Sequence, residues 1–186
     1  MAEQQNILVI LGHPTAESLC AGMARAYAEG AQHAGATVRL LDVGQLAFNP
    51  LFQGYGAAQP LEPALLAAQA DITWAHHLVW VYPIWWGAMP ALLKGFIDRV
   101  LLPGYAFKYR KGSSLWDKLL AGRSAELLVT MDSPPWYFRW VTRMPGHHQM
   151  KKAILEFCGI SPVQVHSFGP VRSASPERLA QWVEKA

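Results

Sequence analysis

The sequence has few cysteines and no long uninterrupted apolar run. Its two cysteines, Cys20 and Cys158, are too few for a disulfide framework and fit a reducing compartment. The longest apolar stretch, residues 77–93, contains a histidine, two prolines and a glycine, unlike a membrane span of about 20 apolar residues. The first residues also lack the basic region of a secretory signal. We therefore expect a cytoplasmic protein that does not span a membrane.

The chain also has little excess charge. Its 16 lysines and arginines exceed its 13 acidic residues by only three, and the basic residues are scattered. This favours no nucleic-acid partner, although a mildly basic surface attracts small anions. With 186 residues, of which 52% are hydrophobic, the chain can build one full core. We expect a single domain over residues 1–186.

Short apolar runs alternate with segments of helical periodicity. The predicted strands are residues 6–11, 37–42, 76–83, 125–131 and 163–169. The predicted helices lie within residues 19–35, 62–70, 86–101, 147–159 and 175–186. This alternation predicts an α/β domain with a parallel sheet and helices on both faces. Residues 45–60 are predicted to be irregular, and residues 103–124 to form a long loop.

Ligands of such sheets bind beyond the carboxyl ends of the strands, so the segments after strands one, three and four are informative. The first, GHPTAESLC, has neither dinucleotide nor P-loop glycine spacing. It offers His13, Thr15, Ser18 and the start of a helix, whose free backbone N–H groups suit a phosphate. The alternative, that Thr15 and Ser18 only cap the helix, has about equal weight.

The second segment, YPIWWGAMP, places two indole rings at a bend. Trp85 and Trp86 could form a flat wall for a flavin-sized ring, and Gly87 would permit close backbone approach. Core packing or a dimer contact are the alternatives for an isolated Trp pair.

Two histidine pairs suggest metal binding at first sight. They are His76–His77 on a predicted strand and His147–His148 on a predicted helix. Adjacent side chains diverge on both kinds of element, and no cysteine or carboxylate set has ligand spacing. We expect no metal site, and we expect Cys20 and Cys158 to be small buried side chains.

The motifs ILVILGHPTAESL, FNPLF, YPIWWGAMPALLKGFIDRVLLPGYAFKY and ILEFCG occur in that order over most of residues 6–170. Together they resemble the flavodoxin-like NAD(P)H:quinone oxidoreductases, a family that includes ancillary proteins of potassium-efflux systems. The resemblance implies a sheet with strand order 2-1-3-4-5 and a non-covalent FMN or FAD. It also implies NAD(P)H as reductant, a quinone-type acceptor, and a homodimer with active sites at the subunit interface.

The resemblance also assigns cofactor-binding residues. The phosphate-side loop corresponds to His13, Ser18, Leu19 and Cys20, and the segment along the flavin ring to Pro83, Ile84, Trp85, Trp86 and Gly87. Thr130 is expected to begin the loop at the pyrimidine edge of the ring, followed by Met131 and Asp132.

This third loop departs from the family pattern. Met131 and Asp132 replace small residues, and Pro134 and Pro135 stiffen the segment after them. Tyr137 has the spacing of a tyrosine that lines the substrate pocket. The accompanying pocket histidine has no equivalent at equal spacing: Arg143 stands there, and His147 and His148 come slightly later. The catalytic candidates are therefore Tyr137 and His147.

The resemblance implies two-electron reduction of quinones or similar small acceptors. One slot beside the flavin would serve NAD(P)H and the acceptor in turn, which predicts ping-pong kinetics. The alternative is a flavin-binding regulatory subunit of a glutathione-gated potassium-efflux antiporter, with a possible contact to that membrane protein. A one-electron flavodoxin is less consistent with the basic sequence.

Overall fold

The structure is a computed structural model that describes residues 5–55 and 59–186. Its strands are β1 (Asn6–Leu11), β2 (Thr37–Asp42), β3 (His77–Pro83), β4 (Phe107–Tyr109), β5 (Trp116–Lys118), β6 (Ser124–Thr130) and β7 (Val163–Phe168). Its α-helices are α1 (Leu19–His33), α2 (Pro63–Trp74), α3 (Ala91–Val100), α4 (Pro135–Trp140), α5 (Pro145–His148), α6 (Glu156–Cys158) and α7 (Pro176–Lys185). A 3-10 turn covers Val43–Gln45, and a π-helical segment, Gln149–Leu155, joins α5 to α6.

The main sheet is parallel, with strand order β2-β1-β3-β6-β7. Counting only these five strands, this is the predicted order 2-1-3-4-5, so the flavodoxin-like prediction is confirmed. Buried apolar side chains pack on both faces of the sheet, one cluster against α1 and α7 and a larger one against α2, α3 and α6. Consecutive residues of a strand point to opposite faces, which is why the central strands read as continuous apolar runs.

The prediction of a long loop over residues 103–124 was wrong in part. This segment contains β4 and β5, which form a separate antiparallel pair in which Phe107 is the register partner of Lys118. Tertiary packing stabilises the pair: the indole of Trp116 stacks on Phe157 with ring centroids 4.5 Å apart. Strands of three residues are too short to show a readable sequence period.

Two helical segments also differ from the prediction. Helix α2 continues to Trp74 instead of ending near residue 70. Helix α4 was not predicted at all, because its segment contains consecutive prolines. Pro135 occupies the first turn, where a missing backbone N–H costs nothing. Of the segment predicted to be irregular, residues 56–58 lie outside the described residues.

Helix ends were predicted more accurately. Ser175 caps α7 by accepting a hydrogen bond from the backbone N–H of Arg178 at 3.4 Å. Gly159 ends α6 with a φ of 101°, a left-handed conformation that glycine adopts without a steric penalty. In the described residues, no helix is long and apolar enough to cross a membrane.

Candidate functional site

The loop after β1 contains a confirmed helix cap. The Ser18 hydroxyl accepts a hydrogen bond from the backbone N–H of Ala21 at 3.2 Å and so begins α1. Thr15 has another role: its backbone N–H and its hydroxyl contact Nδ1 of His13 at 3.1 and 3.0 Å. The cap uses the N–H of Ala21, and the other first-turn N–H groups of α1, those of Leu19 and Cys20, have no partner within the helix.

The loop after β3 is a tight turn that presents the two indoles. The backbones of Trp85 and Ala88 exchange hydrogen bonds of 2.8 and 3.0 Å. Between them Trp86 and Gly87 have φ values of 51° and 79°, as a two-residue type I′ turn requires. A left-handed Trp is uncommon, and here it leaves the Trp86 ring fully exposed, while Trp85 is 46% exposed.

The loop after β6 is joined to both of the other loops. Thr130 is the last residue of β6 and does not begin the loop as predicted, because its carbonyl accepts a sheet-like hydrogen bond from the N–H of Ile84 at 2.7 Å. Its hydroxyl lies 3.3 Å from Sγ of Cys20. Burial raises the pKa of the Cys20 thiol to about 11, so the thiol is neutral near pH 7. Cys20 and Thr130 therefore form an uncharged, hydrogen-bonding surface between the loops after β1 and β6, which we call the neutral floor.

Asp132 lies at the edge of this arrangement. Its carboxylate accepts a hydrogen bond from the backbone N–H of Arg172 at 2.8 Å, and its side chain is exposed. The contact fixes the carboxylate to the segment after β7.

The three loops enclose a first cavity of about 190 Å³. It is lined by ten of the predicted cofactor-binding residues: His13, Ser18, Leu19, Cys20, Pro83, Ile84, Trp85, Thr130, Met131 and Asp132. Val171 also lines it and was missed by the sequence analysis, since the turn after β7 carries no motif.

A second cavity of about 510 Å³ adjoins the first and shares three of its residues. It is lined by Ile84, Trp85, Trp86, Gly87, Asp132, Ser133, Phe138 and Thr142. The sequence analysis did not name Ser133, Phe138 or Thr142. The four-residue spacing of Phe138 and Thr142 was the available signal, because it places two side chains on one face of a helical turn.

The two predicted catalytic residues do not line either cavity. Tyr137 is 40% exposed on α4, with its ring edge-on to Trp136 at 5.9 Å. His147 is only 6% exposed, between the ring of Phe138 at 5.0 Å and the Ser167 hydroxyl, which lies 2.8 Å from Nε2. Burial, with a smaller effect of His148, lowers the pKa of His147 to about 4, so this imidazole is neutral near pH 7.

The histidine pairs are placed separately from these cavities. Nδ1 of His76 accepts a hydrogen bond from the backbone of Asn6, and His77 contacts Ser124. Within residues 5–55 and 59–186, no group of three or more His, Cys, Asp or Glu side chains is arranged to hold a metal ion. Cys20 and Cys158 are buried and unpaired in this part of the chain.

A parallel sheet of this order with joined cavities at the carboxyl ends of β1, β3 and β6 defines a flavodoxin-like protein. The family described as having a flavodoxin-like fold matches residues 5–186. The chain belongs to this family.

Individual relatives cover nearly the whole chain. A Haemophilus influenzae protein named as an uncharacterized NAD(P)H oxidoreductase is 28% identical over 97% of this chain and 92% of its own length. The Rattus norvegicus ribosyldihydronicotinamide dehydrogenase [quinone] is 27% identical over 97% of this chain and 90% of its own length.

A solved structure is similar in fold. It is an FMN-dependent NADH-azoreductase from Bacillus anthracis in complex with FMN, with a TM-score of 0.74 and 19% identity, and the match covers 98% of this chain and 95% of that chain.

Proposed function

We propose that this protein is a flavin-dependent NAD(P)H oxidoreductase that reduces quinones or similar small acceptors. The observation that carries the proposal is the convergence of three loops on two adjoining cavities, one with polar backbone and hydroxyl groups and one with indole walls. A flavin mononucleotide unit has the same division, with an anionic tail and a flat ring.

The first loop fits a phosphate. Ser18 and the start of α1 supply a hydroxyl and first-turn N–H groups, and the positive end of the helix dipole favours an anion there. The His13 ring contacts Trp85 edge-on, with centroids 5.5 Å apart, so the phosphate loop and the ring loop are held together. A phosphate held by the Ser18 hydroxyl and the start of α1 needs no basic side chain in contact with it.

The second loop fits a flat ring. Trp85 and Trp86 supply exposed aromatic surface, and the floor formed by Cys20 and Thr130 is neutral and able to hydrogen-bond. An indole wall and a few directed polar groups are what a cofactor ring needs for orientation. Asp132 adds a negative charge at the edge of the same space.

A bound flavin would supply two-electron chemistry, taking hydride from NAD(P)H and reducing the acceptor. The chain's own contribution is to orient the ring, to cover one side of it with indoles and to exclude water. Because the second cavity is one space beside the indoles, both substrates would occupy it in turn. This supports a ping-pong order.

Tyr137 lines neither cavity, so it remains our candidate only for contacting a part of the acceptor that extends beyond the second cavity, on the exposed side of α4. We assign His147 a positioning role, because its buried ring packs under Phe138, which lines the second cavity. Thr142, also in that lining, is a further hydroxyl within the proposed substrate space.

The names of the relatives agree with this proposal. They describe NAD(P)H oxidoreduction, a quinone and, in one case, bound FMN. They give no support to the alternative of a regulatory subunit for a potassium-efflux antiporter, so we do not propose that role. We do propose a cytoplasmic location, since both buried cysteines are unpaired in the described residues.

We further propose a homodimer. Large apolar side chains are exposed on the loop before α2 and on the β4–β5 hairpin: Leu51, Tyr55, Tyr109 and Leu115. Tyr55 and Tyr109 also line a groove of about 340 Å³ between α3 and the π-helical segment. Exposed apolar surface beside such a groove is typical of a protein interface. Sedimentation of the purified chain measures its oligomeric state directly.

The function is tested by titrating the purified chain with FMN and FAD and then assaying it. We expect quenching of flavin fluorescence, oxidation of NADH or NADPH only when a soluble quinone is present, and parallel lines in double-reciprocal plots. Mass spectrometry of cofactor released by heat distinguishes FMN from FAD. Absence of flavin binding, or turnover no faster than that of free flavin, would refute the proposal.

A further inference from the structure

Helix α5 packs against the turn that presents the two indoles, residues 85–88, which we call the indole turn. Gly146, the second residue of α5, is buried. A Cβ atom on Gly146 would lie 2.7 Å from the carbonyl oxygen of Gly87 and 2.8 Å from Cδ1 of Ile84. Carbon atoms in favourable contact are about 3.5–4.0 Å apart. Helix α5 therefore approaches the indole turn this closely only because Gly146 has no side chain.

The residues that Gly146 approaches form walls of the two cavities. Ile84 lines both cavities, and Gly87 lines the second. Trp85 and Trp86 lie between these two residues in the chain. A displacement of Ile84 and Gly87 would therefore also move the indoles.

A close approach at a glycine is not special by itself. Gly95 in α3 is also buried, and a Cβ atom there would lie 2.6 Å from both Cβ and the carbonyl oxygen of Pro50. Pro50, however, lines neither cavity. Gly146 differs from Gly95 in what it approaches, so Gly95 is a matched control for crowding of the core alone.

Helix α5 is anchored more firmly than the indole turn. Nε2 of His147 lies 2.8 Å from the hydroxyl of Ser167 on β7. His147 is buried, as is Met150 in the π-helical segment that continues α5. The indole turn is closed by hydrogen bonds between its own ends, and its indoles are exposed. A methyl group added at Gly146 would therefore displace the turn and leave the helix in place.

We propose that Gly146 is a positioning residue for the indole turn of the proposed flavin site. The missing side chain lets α5 support the backbone of the turn, so the two indoles hold their position before a ligand binds. A wall that is ordered in advance loses less conformational entropy on binding. The ligand in this inference rests on the proposed function, but the support of the turn by α5 is a property of the chain without flavin.

The support is tested first without cofactor, by hydrogen–deuterium exchange of the purified chain. Gly146→Ala should speed exchange in a peptide covering residues 84–88 about tenfold, because the displaced turn loses the hydrogen bonds between its ends. Exchange in β1 should change much less, since the displacement is local. Gly95→Ala should leave exchange in residues 84–88 unchanged. Equal exchange there in the two variants would overturn the proposal.

The effect on the ligand is tested by fluorescence titration with FMN and with riboflavin, which lacks the phosphate. Gly146→Ala should weaken the binding of both about tenfold, as expected for the loss of the indole contacts. Gly95→Ala should retain both affinities within about twofold, since it leaves the cavity walls in place. A loss confined to FMN would place the effect at the phosphate and contradict a role in positioning the indoles.

A double-mutant cycle separates positioning from general damage to the fold. Added to Trp85→Ala with Trp86→Ala, Gly146→Ala should cost less than about twofold in flavin affinity, because the side chains that it positions are already gone. A further loss of about tenfold in this background would show that Gly146 acts through other residues. Circular dichroism and the unfolding midpoint establish that each variant is folded.

Ser167→Ala probes the same support without adding an atom, and it decides the matter if Gly146→Ala does not fold. It removes the hydroxyl that holds Nε2 of His147, so exchange in residues 84–88 should quicken about threefold. Unchanged exchange would then overturn the proposal. If the wild-type chain binds no flavin, the proposed function is wrong, whereas faster exchange in Gly146→Ala would still establish that α5 supports the indole turn.

Discussion

The two ends of the sheet both collect polar and aromatic side chains, but these side chains are used differently. Toward the amino ends of β3 and β6, Glu126 accepts a hydrogen bond from Tyr27 at 3.0 Å and pairs with His166 at 2.6 Å. His77 contacts Ser124 at 2.8 Å and lies 3.9 Å from Glu126. At the carboxyl ends, Trp85 and Trp86 line the second cavity and are exposed to solvent.

The difference separates groups that support the fold from groups that can bind. The cluster around Glu126 is satisfied internally, and His77 first, with Tyr27 and His166, holds the pKa of the Glu126 carboxyl below its usual value. At the carboxyl end, the first-turn N–H groups of α1, two indoles and the neutral floor surround the same space and remain available to a ligand. Substitutions at both ends test this contrast, from the largest expected effect to the smallest.

Ser18→Asp should weaken flavin binding about 100-fold, or about 2.7 kcal/mol, by placing a negative charge beside the proposed phosphate. Aspartate is a good helix cap, so α1 should remain intact. The matched control is Ser175→Asp, which makes the same change at the cap of α7. Fluorescence titration with FMN and FAD measures both, and equal affinity in the two variants would show that the phosphate binds elsewhere.

His147 should make stability depend on pH. Its folded pKa of about 4 lies below the ordinary value of 6.5, so the unfolded chain binds the proton more tightly. Stability is therefore fully present above pH 6.5 and is lost as the pH falls towards 4. The difference between the two pKa values corresponds to at most roughly 3 kcal/mol, and we expect about 2 kcal/mol because solvent screens part of the effect.

Urea unfolding at a series of pH values measures this loss. His147→Gln should flatten the profile in that window, whereas His148→Gln, which changes an exposed neighbour, should preserve it. Identical profiles for the two variants would exclude His147 as the source of the pH dependence.

Trp85→Ala combined with Trp86→Ala should weaken flavin binding about tenfold, the loss of one to two aromatic contacts. Because both rings are exposed, the unfolding free energy should change by less than about 0.5 kcal/mol. Tyr109→Ala removes another exposed ring, from the β4–β5 hairpin, and serves as control. An unchanged flavin dissociation constant in the double variant would rule out stacking on either indole.

Glu126→Gln should have the smallest effect, a loss of about 1 kcal/mol in unfolding free energy, since the side chain is only partly buried and water can replace part of the pairing. Flavin affinity should not change. A loss of flavin binding in this variant would contradict the division between the two ends of the sheet.

Local sequence signals predicted the helix caps and the alternation of strands and helices well, whereas the strand order came from the family resemblance. Ser18, Ser175 and Gly159 act through bonds and conformations within a few residues, so their roles can be seen in the sequence alone. The cavity-lining residues His13 and Trp85 were predicted because they come directly after central strands of the sheet. Helix α4 was missed because prolines favour turns, and Val171 because its turn has no composition signal.

The amino-acid sequence by itself determined the alternation of strands and helices, and with it which loops meet at the carboxyl edge of a parallel sheet. Only the tertiary structure decided what each nearby side chain faces: Phe138 and Thr142 line the cavity, Tyr137 turns outwards and His147 is buried beneath α4. The reason is physical. The alternation of strands and helices follows from local periodicity, whereas the direction of a side chain in a short helix depends on contacts with residues distant in the sequence.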